Sequence, residues 1–138
     1  MTPQAVDSLA RARNDLSDAR KIAAIGIAKV AARLAYYAAF HAAEAMIVER
    51  TGKIAKTHSG VRAEFARLTQ GSPAADRRLA RFLAEGYQYK EISDYGIGNT
   101  PEITQSNADD AIVRASTFID WIAAAGRALT ERRRRTSL

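Results

Sequence analysis

Cysteine is absent from the 138-residue chain, which excludes disulfides, thiolate catalysis and any metal site built on thiolates. Histidine is nearly as scarce, with only His41 and His58. A metal enzyme would have to recruit carboxylates, and none stands at a recognisable ligand spacing, so no metal is expected. The chain has no glycine-rich phosphate loop, no nucleophile elbow and no HExxH pair. Gly96-Ile97-Gly98 is too short for a dinucleotide loop and follows a helical segment rather than a strand, so no cofactor is expected either. Alternating β-branched residues are missing throughout. Long apolar runs are missing too: the best, Ala31 to Ile47, is broken by Arg33 and Glu44, too short and too charged to cross a bilayer. Met1-Thr2-Pro3-Gln4 does not open a basic and then apolar leader. A soluble cytoplasmic protein of one domain, without membrane partners, is the expectation.

What the chain has in excess is alanine, 29 residues or about one in five. Alanine is the strongest helix former, and the hydrophobic fraction of 47% is enough for an ordered core. The net charge is +6, but Arg132, Arg133, Arg134 and Arg135 account for four of those charges. The charge is therefore weak evidence for a polyanion partner across the body of the domain. The arginine run reads either as a solvated helix end or as an RNA contact, and residues 132–138 as a disordered tail after a domain spanning 1–131.

The punctuation predicts five helices, over residues 3–22, 26–51, 58–69, 73–94 and 106–133. Thr2-Pro3 and Ser72-Pro73 each pair a capping residue with proline at the first helical position, and Ser106 reads as the cap of the last helix. In the second helix Val30, Leu34, Tyr37, His41, Ala45 and Val48 recur at three- and four-residue steps as a core stripe. In the last, Ile112, Ala115, Ile119, Ile122 and Gly126 do the same, widened by Phe118 and Trp121. Ala31, Ala35, Ala38, Ala42 and Ala45 leave room for close neighbours. The predicted fold is all-α, an antiparallel up-and-down helical bundle of about five helices.

Three segments could carry chemistry. Arg33, Tyr37 and His41 stand four apart and share one helical ridge. On pattern alone, Tyr37 and His41 read as hydrogen-bonded core residues, and Arg33 as paired with an acid on a neighbouring helix. Lys56-Thr57-His58-Ser59-Gly60 opens a helix. With Thr57 as cap, His58 sits in the first turn, where the helix dipole disfavours imidazolium, so it either caps or serves as a general base. Tyr87 to Gly96 closes the fourth helix, with Lys90 and Asp94 spaced to pair and Gly96 as its C-cap.

Taken in order, Arg33-x-Ala35-Tyr36-Tyr37-Ala38-x-Phe40-His41-Ala42-Ala43, Lys56-Thr57-His58-Ser59-Gly60-Val61 and Lys90-x-x-Ser93-Asp94-Tyr95-Gly96 resemble the HEPN family (higher eukaryotes and prokaryotes nucleotide-binding domain). The likeness is to its small stand-alone prokaryotic branch and runs from about Ala5 to Ala125. The resemblance implies a helical bundle, usually a homodimer, in a family of metal-independent ribonucleases, often toxins of toxin–antitoxin or phage-defence systems. Other members bind nucleotides or pair with a small nucleotidyltransferase. The family's catalytic arginine is followed after four to six residues by a histidine. Here Arg33 to His41 and Arg50 to His58 each leave seven, and Lys90 stands where relatives of this branch usually carry arginine. For RNA cleavage the resemblance casts His58 or His41 as acid and base and Arg33 and Lys90 as phosphate stabilisers. Tyr37 or Tyr95 would position the substrate, with Asp94 and Lys56 beside them. The other reading is a non-catalytic module that binds a nucleotide, a cognate antitoxin or a nucleotidyltransferase through the same patch; a third is a dimeric scaffold.

Overall fold

The computed structural model describes residues 1–96 and 101–136, with Ala74, Ala75 and Asp76 described by their backbone alone. The described residues form five helices and no strand: α1 Pro3–Ala24, α2 Ala28–Thr51, α3 His58–Thr69, α4 Ala74–Tyr95 and α5 Gln105–Thr136. None is long and apolar enough to cross a membrane. Residues Ile97 and Gly98 of the glycine-bearing loop lie outside the described residues.

Each helix starts and stops for a local reason. Thr2 caps α1 by accepting the Ala5 amide at 3.2 Å, with Pro3 just inside. Thr57 caps α3 through the Gly60 amide at 2.9 Å. Gly52 ends α2 in the left-handed region at φ 71°, its amide returning to the Val48 carbonyl at 2.9 Å. Two caps differ from expectation. Pro73, not Ser72, precedes α4, and among the described residues no side chain caps that end. At α5 the cap is Thr104 rather than Ser106. Thr104 Oγ1 accepts the Asn107 amide at 3.1 Å while Asn107 Oδ1 accepts the Thr104 amide at 3.0 Å. That reciprocal pair satisfies two orphan donors at once, which a lone serine two residues later does not.

Cross-links show how the long helices run. Thr2, at the start of α1, bonds Glu49 at the end of α2, and Arg33, early in α2, pairs with Asp94 at the end of α4. Gln105, opening α5, donates to the Ala23 carbonyl at the end of α1. So α1 and α4 run against α2, and α5 runs against α1. The result is an antiparallel bundle in which α3 is the short link between α2 and α4. In α1 the buried positions Ala5, Leu9, Ala12, Leu16, Ala19 and Ala23 alternate by four and three, the spacing of a single apolar seam.

α2 lies against each of the other four helices and is buried nearly all round. Eight alanines are among its buried residues, together with Tyr36, Phe40, Met46, Ile47 and Val48. This revises the predicted stripe: Val30, Leu34, Tyr37 and His41 are only partly buried, and the inward tyrosine is Tyr36, fully covered. A helix enclosed on several sides has no single stripe to read. The α5 stripe is as expected, with Ile112, Ala115, Phe118, Ile119, Ile122 and Gly126 buried. Phe118 stacks on Phe65 of α3 at 5.0 Å between ring centres.

α5 also continues beyond its expected end. Arg132 to Thr136 are helical rather than disordered, because Arg133 is anchored. Its guanidinium donates to the Glu49 carboxylate at 2.9 Å and to the Glu49 carbonyl at 3.4 Å. The same carboxylate accepts the Thr2 amide at 2.7 Å and is only 3% exposed. Burial pushes the Glu49 carboxyl up, but the Thr2 hydrogen bond and nearby positive charge, Arg133 included, hold it below its usual value. Glu49 thereby ties the start of α1, the end of α2 and the end of α5.

Glu49→Gln is expected to lower stability by about 1–3 kcal/mol, the range for hydrogen bonds to a charged group, read from urea unfolding at pH 7. Because the folded carboxyl has the lower pKa, this contribution is whole above the unfolded value of about 4.3. It fades as pH falls through the lower folded value, so wild type and variant should converge in acid. A gap that persists undiminished at pH 2 would contradict the role given to Glu49.

Candidate functional site

One face of α2 carries Arg33, Tyr36, Tyr37 and Phe40, at helical spacings that keep them adjacent. The first turn of α3 brings His58 against this face. The ring of His58 lies 4.5 Å from that of Phe40 and 5.8 Å from that of Tyr36, and its Nδ1 is 2.7 Å from the Tyr36 hydroxyl. α4 closes the other side with Tyr87, Lys90 and Asp94. It comes close because residue 86 is glycine: a Cβ there would lie 3.1 Å from Tyr36 Cδ1. Tyr87 packs edge-on to Tyr36 at 5.9 Å and lies 5.5 Å from His58.

Three cations border these rings. Arg33 lies 5.0 Å from the Tyr37 ring centre and donates to Asp94 at 2.8 Å. Lys90 reaches the other oxygen of Asp94 at 3.2 Å and stands 5.3 Å from the Tyr95 ring centre. Arg62, one turn after His58 on α3, lies over Tyr87, its guanidinium carbon 4.3 Å from the ring centre. The Arg33 and Asp94 side chains are 33% and 23% exposed. A pair so wet contributes at most about 1 kcal/mol to stability; its consequence is to fix where the charges stand.

The structure thus brings together Arg33, Tyr37, His58, Lys90, Asp94 and Tyr95, all marked by the sequence. The pattern reading of Arg33, that it pairs with an acid on a neighbouring helix, describes its contact with Asp94. Lys56 lies exposed in the loop before α3. His41 belongs to another contact: Glu44 meets its Nδ1 at 2.6 Å and Asp15 of α1 its Nε2 at 3.5 Å. Phe40 stands between the two histidines, 5.5 Å from His41 and 4.5 Å from His58, so His41 joins α1 to α2 rather than facing His58. Burial raises the Asp15 carboxyl, against the pull of His41. The sequence reading did not single out Tyr36, Phe40, Tyr87 or Arg62 for the site. The signal for Arg62 was present, since His58 and Arg62 are four apart on one helix.

The electrostatics favour a neutral imidazole beside a protonated phenol. Burial is the main cause that lowers the His58 pKa below 6.5, and the charges of Lys90 and Arg62 push the same way, outweighing Glu44 and Glu91. Burial drives the Tyr36 phenol well above its ordinary value despite the nearby Arg62 charge. Asp94 resists the effect of burial because Lys90 and Arg33 bond its charged form, and its carboxyl stays below its usual value. The Lys90 ammonium is raised chiefly by its bond to Asp94. The cluster therefore offers an imidazole hydrogen-bonded to a buried hydroxyl, cations and ring surfaces within a few ångströms. Among the described residues no group of three His, Asp or Glu is placed to hold a metal ion.

His58 should titrate below 6.5 when followed by its imidazole NMR signals. Lys90→Met should raise that value, because a like charge is removed, yet leave it below 6.5, because burial is the larger cause. A value unchanged or lowered by Lys90→Met would contradict this account of the site's field.

Comparison with known proteins agrees with the fold. The family model of the HEPN domain matches residues 5–127. A UPF0332 protein of Thermotoga maritima is 30% identical over 112 residues, 81% of this chain and 83% of the relative. A second UPF0332 protein, from Gloeobacter violaceus, is 27% identical over 119 residues, 86% and 93% of the two chains. Among solved structures, the crystal structure of an archaeal HEPN homologue superposes with a TM-score of 0.69 at 22% identity, covering 91% of this chain and 99% of that one, which concerns the fold alone. With the family model matched across nearly its whole length, the chain belongs to the HEPN domain family.

Proposed function

We propose that this HEPN protein acts on RNA at the α2–α3–α4 cluster, as a metal-independent endoribonuclease in which His58 moves the proton. The observation that carries this reading is the His58 imidazole, biased to its neutral form and fixed by the Tyr36 hydroxyl at 2.7 Å. Cleavage of this kind begins with attack of a ribose 2′-oxygen on the adjacent phosphorus. A new O–P bond forms, the bond to the 5′-oxygen breaks, one proton leaves the 2′-hydroxyl and another reaches the departing oxygen. A neutral imidazole suits the first transfer and its imidazolium the second. In the tautomer whose Nδ1–H donates to the Tyr36 hydroxyl oxygen, the Nε2 lone pair is left to take the proton from the substrate. Cations at the patch would offset charge on the phosphoryl oxygens, and Tyr37 and the exposed ring of Tyr95 offer surfaces on which bases stack.

A second reading rests on one contact. Asp94 engages both Arg33 and Lys90, and cations already neutralised make a weaker clamp for a phosphate in flight. That favours a module which binds a nucleotide or a partner, such as a small nucleotidyltransferase, without catalysis. In either reading, family membership supports a homodimer acting in the cytoplasm within a toxin–antitoxin or defence pair.

Incubating a mixed RNA pool with wild type and His58→Ala in EDTA separates the readings. Cleavage by wild type that leaves 2′,3′-cyclic ends is expected, with a loss of about 10²–10⁴-fold in the variant, the usual weight of a general acid–base group. Equal rates in the two proteins would remove His58 from the chemistry. RNA bound but uncut by wild type would establish the binding module instead.

A further inference from the structure

Arg62 is the cation of the cluster whose donors are not all used: the Tyr36 phenol engages its side chain, yet one nitrogen is left over. Arg33 and Lys90 both meet Asp94, whereas the Nη1 group of Arg62 is shut off from solvent without a hydrogen-bond partner. A guanidinium donor left in that state loses its hydration and gains nothing in return, and its N–H geometry matches the oxygens of a phosphate. The group is also held in place. Its guanidinium carbon lies over the Tyr87 ring, 4.3 Å from the centre, and its backbone is in the α3 helix, one turn beyond His58. His58 touches the same Tyr87 ring, at 5.5 Å between centres. The guanidinium and the imidazole thus converge from one helix on one aromatic wall.

We propose that Arg62 is the residue that binds a phosphate oxygen of the ligand, a nucleotide phosphate or phosphodiester, beside His58. This rests on the reading of the cluster as a phosphate-binding site and names the group within it that makes the contact. Arg62 presents the N–H bonds of Nη1 to an oxyanion, and Tyr87 is its platform. Arg33 and Lys90, turned toward Asp94, set the field at the rim.

Two measurements test the assignment. In the first, wild type is titrated with inorganic phosphate while the arginine Nε–H signals are followed by NMR, and the Arg62 signal is expected to move. In the second, a short fluorescein-labelled RNA of mixed sequence is titrated with wild type, Arg62→Gln, Arg62→Lys and Arg67→Gln. Arg67 is on the same helix, 61% exposed and paired with Glu64, so its variant makes the same change in net charge away from the cluster. Arg62→Gln should weaken RNA binding by about tenfold or more, the loss of one charge-assisted contact. Arg62→Lys should fall between, and Arg67→Gln should stay within about twofold of wild type. If wild type binds RNA but Arg62→Gln binds equally, or the Arg62 signal ignores phosphate, the assignment is overturned and the cluster reading stands. If wild type binds neither probe, the cluster reading falls and this assignment with it. Should Arg62→Gln fail to fold, the wild-type titration and Arg62→Lys decide.

Discussion

The enclosure of α2 by four other helices is the constraint on which the rest of the structure depends. A helix packed on several sides can bury little but small residues if its neighbours are to approach closely, and α2 meets this with eight buried alanines. Large side chains are then confined to a few positions. Tyr36 and Phe40 occupy one such place, toward α3 and α4, and Ile47 is another fully enclosed large side chain. The same packing that makes the core makes the site, because the Tyr36 hydroxyl has to find a partner once it is buried. His58 is that partner.

This explains why the ionisable groups of the cluster are displaced from their ordinary behaviour. His58 and Tyr36 are moved mainly by burial, in opposite directions, and both toward the neutral form. The charged groups lie further out, where solvent reaches them, and pair with one another around Asp94. The site is thus a neutral pair at the wall of the core with a rim of paired charge. Arg62 crosses that division, since its charge is carried inward along the face of Tyr87. At the opposite end of the bundle Glu49 joins three helix ends through hydrogen bonds to Thr2 and Arg133. There a carboxylate is kept charged, because a backbone amide and a guanidinium replace the water it loses.

Much of the fold was legible because it is local. Alanine content, the Thr2-Pro3 and Thr57 caps and the glycines at Gly26 and Gly52 place the helices within a few residues. The α5 stripe was readable because α5 buries one face. The α2 stripe was shifted by one residue, to Tyr37 from Tyr36, since an apolar pattern seen on every side of a helix does not say which side faces inward. The α5 cap was misplaced by two residues because Thr104 and Asn107 act as a reciprocal pair. The helical course of Arg132–Arg135 escaped notice for a different reason: its anchor, Glu49, lies 84 residues away in the chain.

For the site the division is similar. The sequence by itself determined an all-α bundle, the family to which it belongs, and the stretches around Arg33, His58 and Lys90 that supply the cluster. These follow from helix propensity and short-range order, which a chain carries in its residues. Only the tertiary structure decided that His58 and His41 face different partners across Phe40. It also decided that Tyr36 rather than Tyr37 bonds His58, and that Arg62 and Tyr87 complete the wall. Those outcomes depend on which faces of α2, α3 and α4 meet. Helix orientation is set by the packing of all five helices together, so no one segment contains the answer.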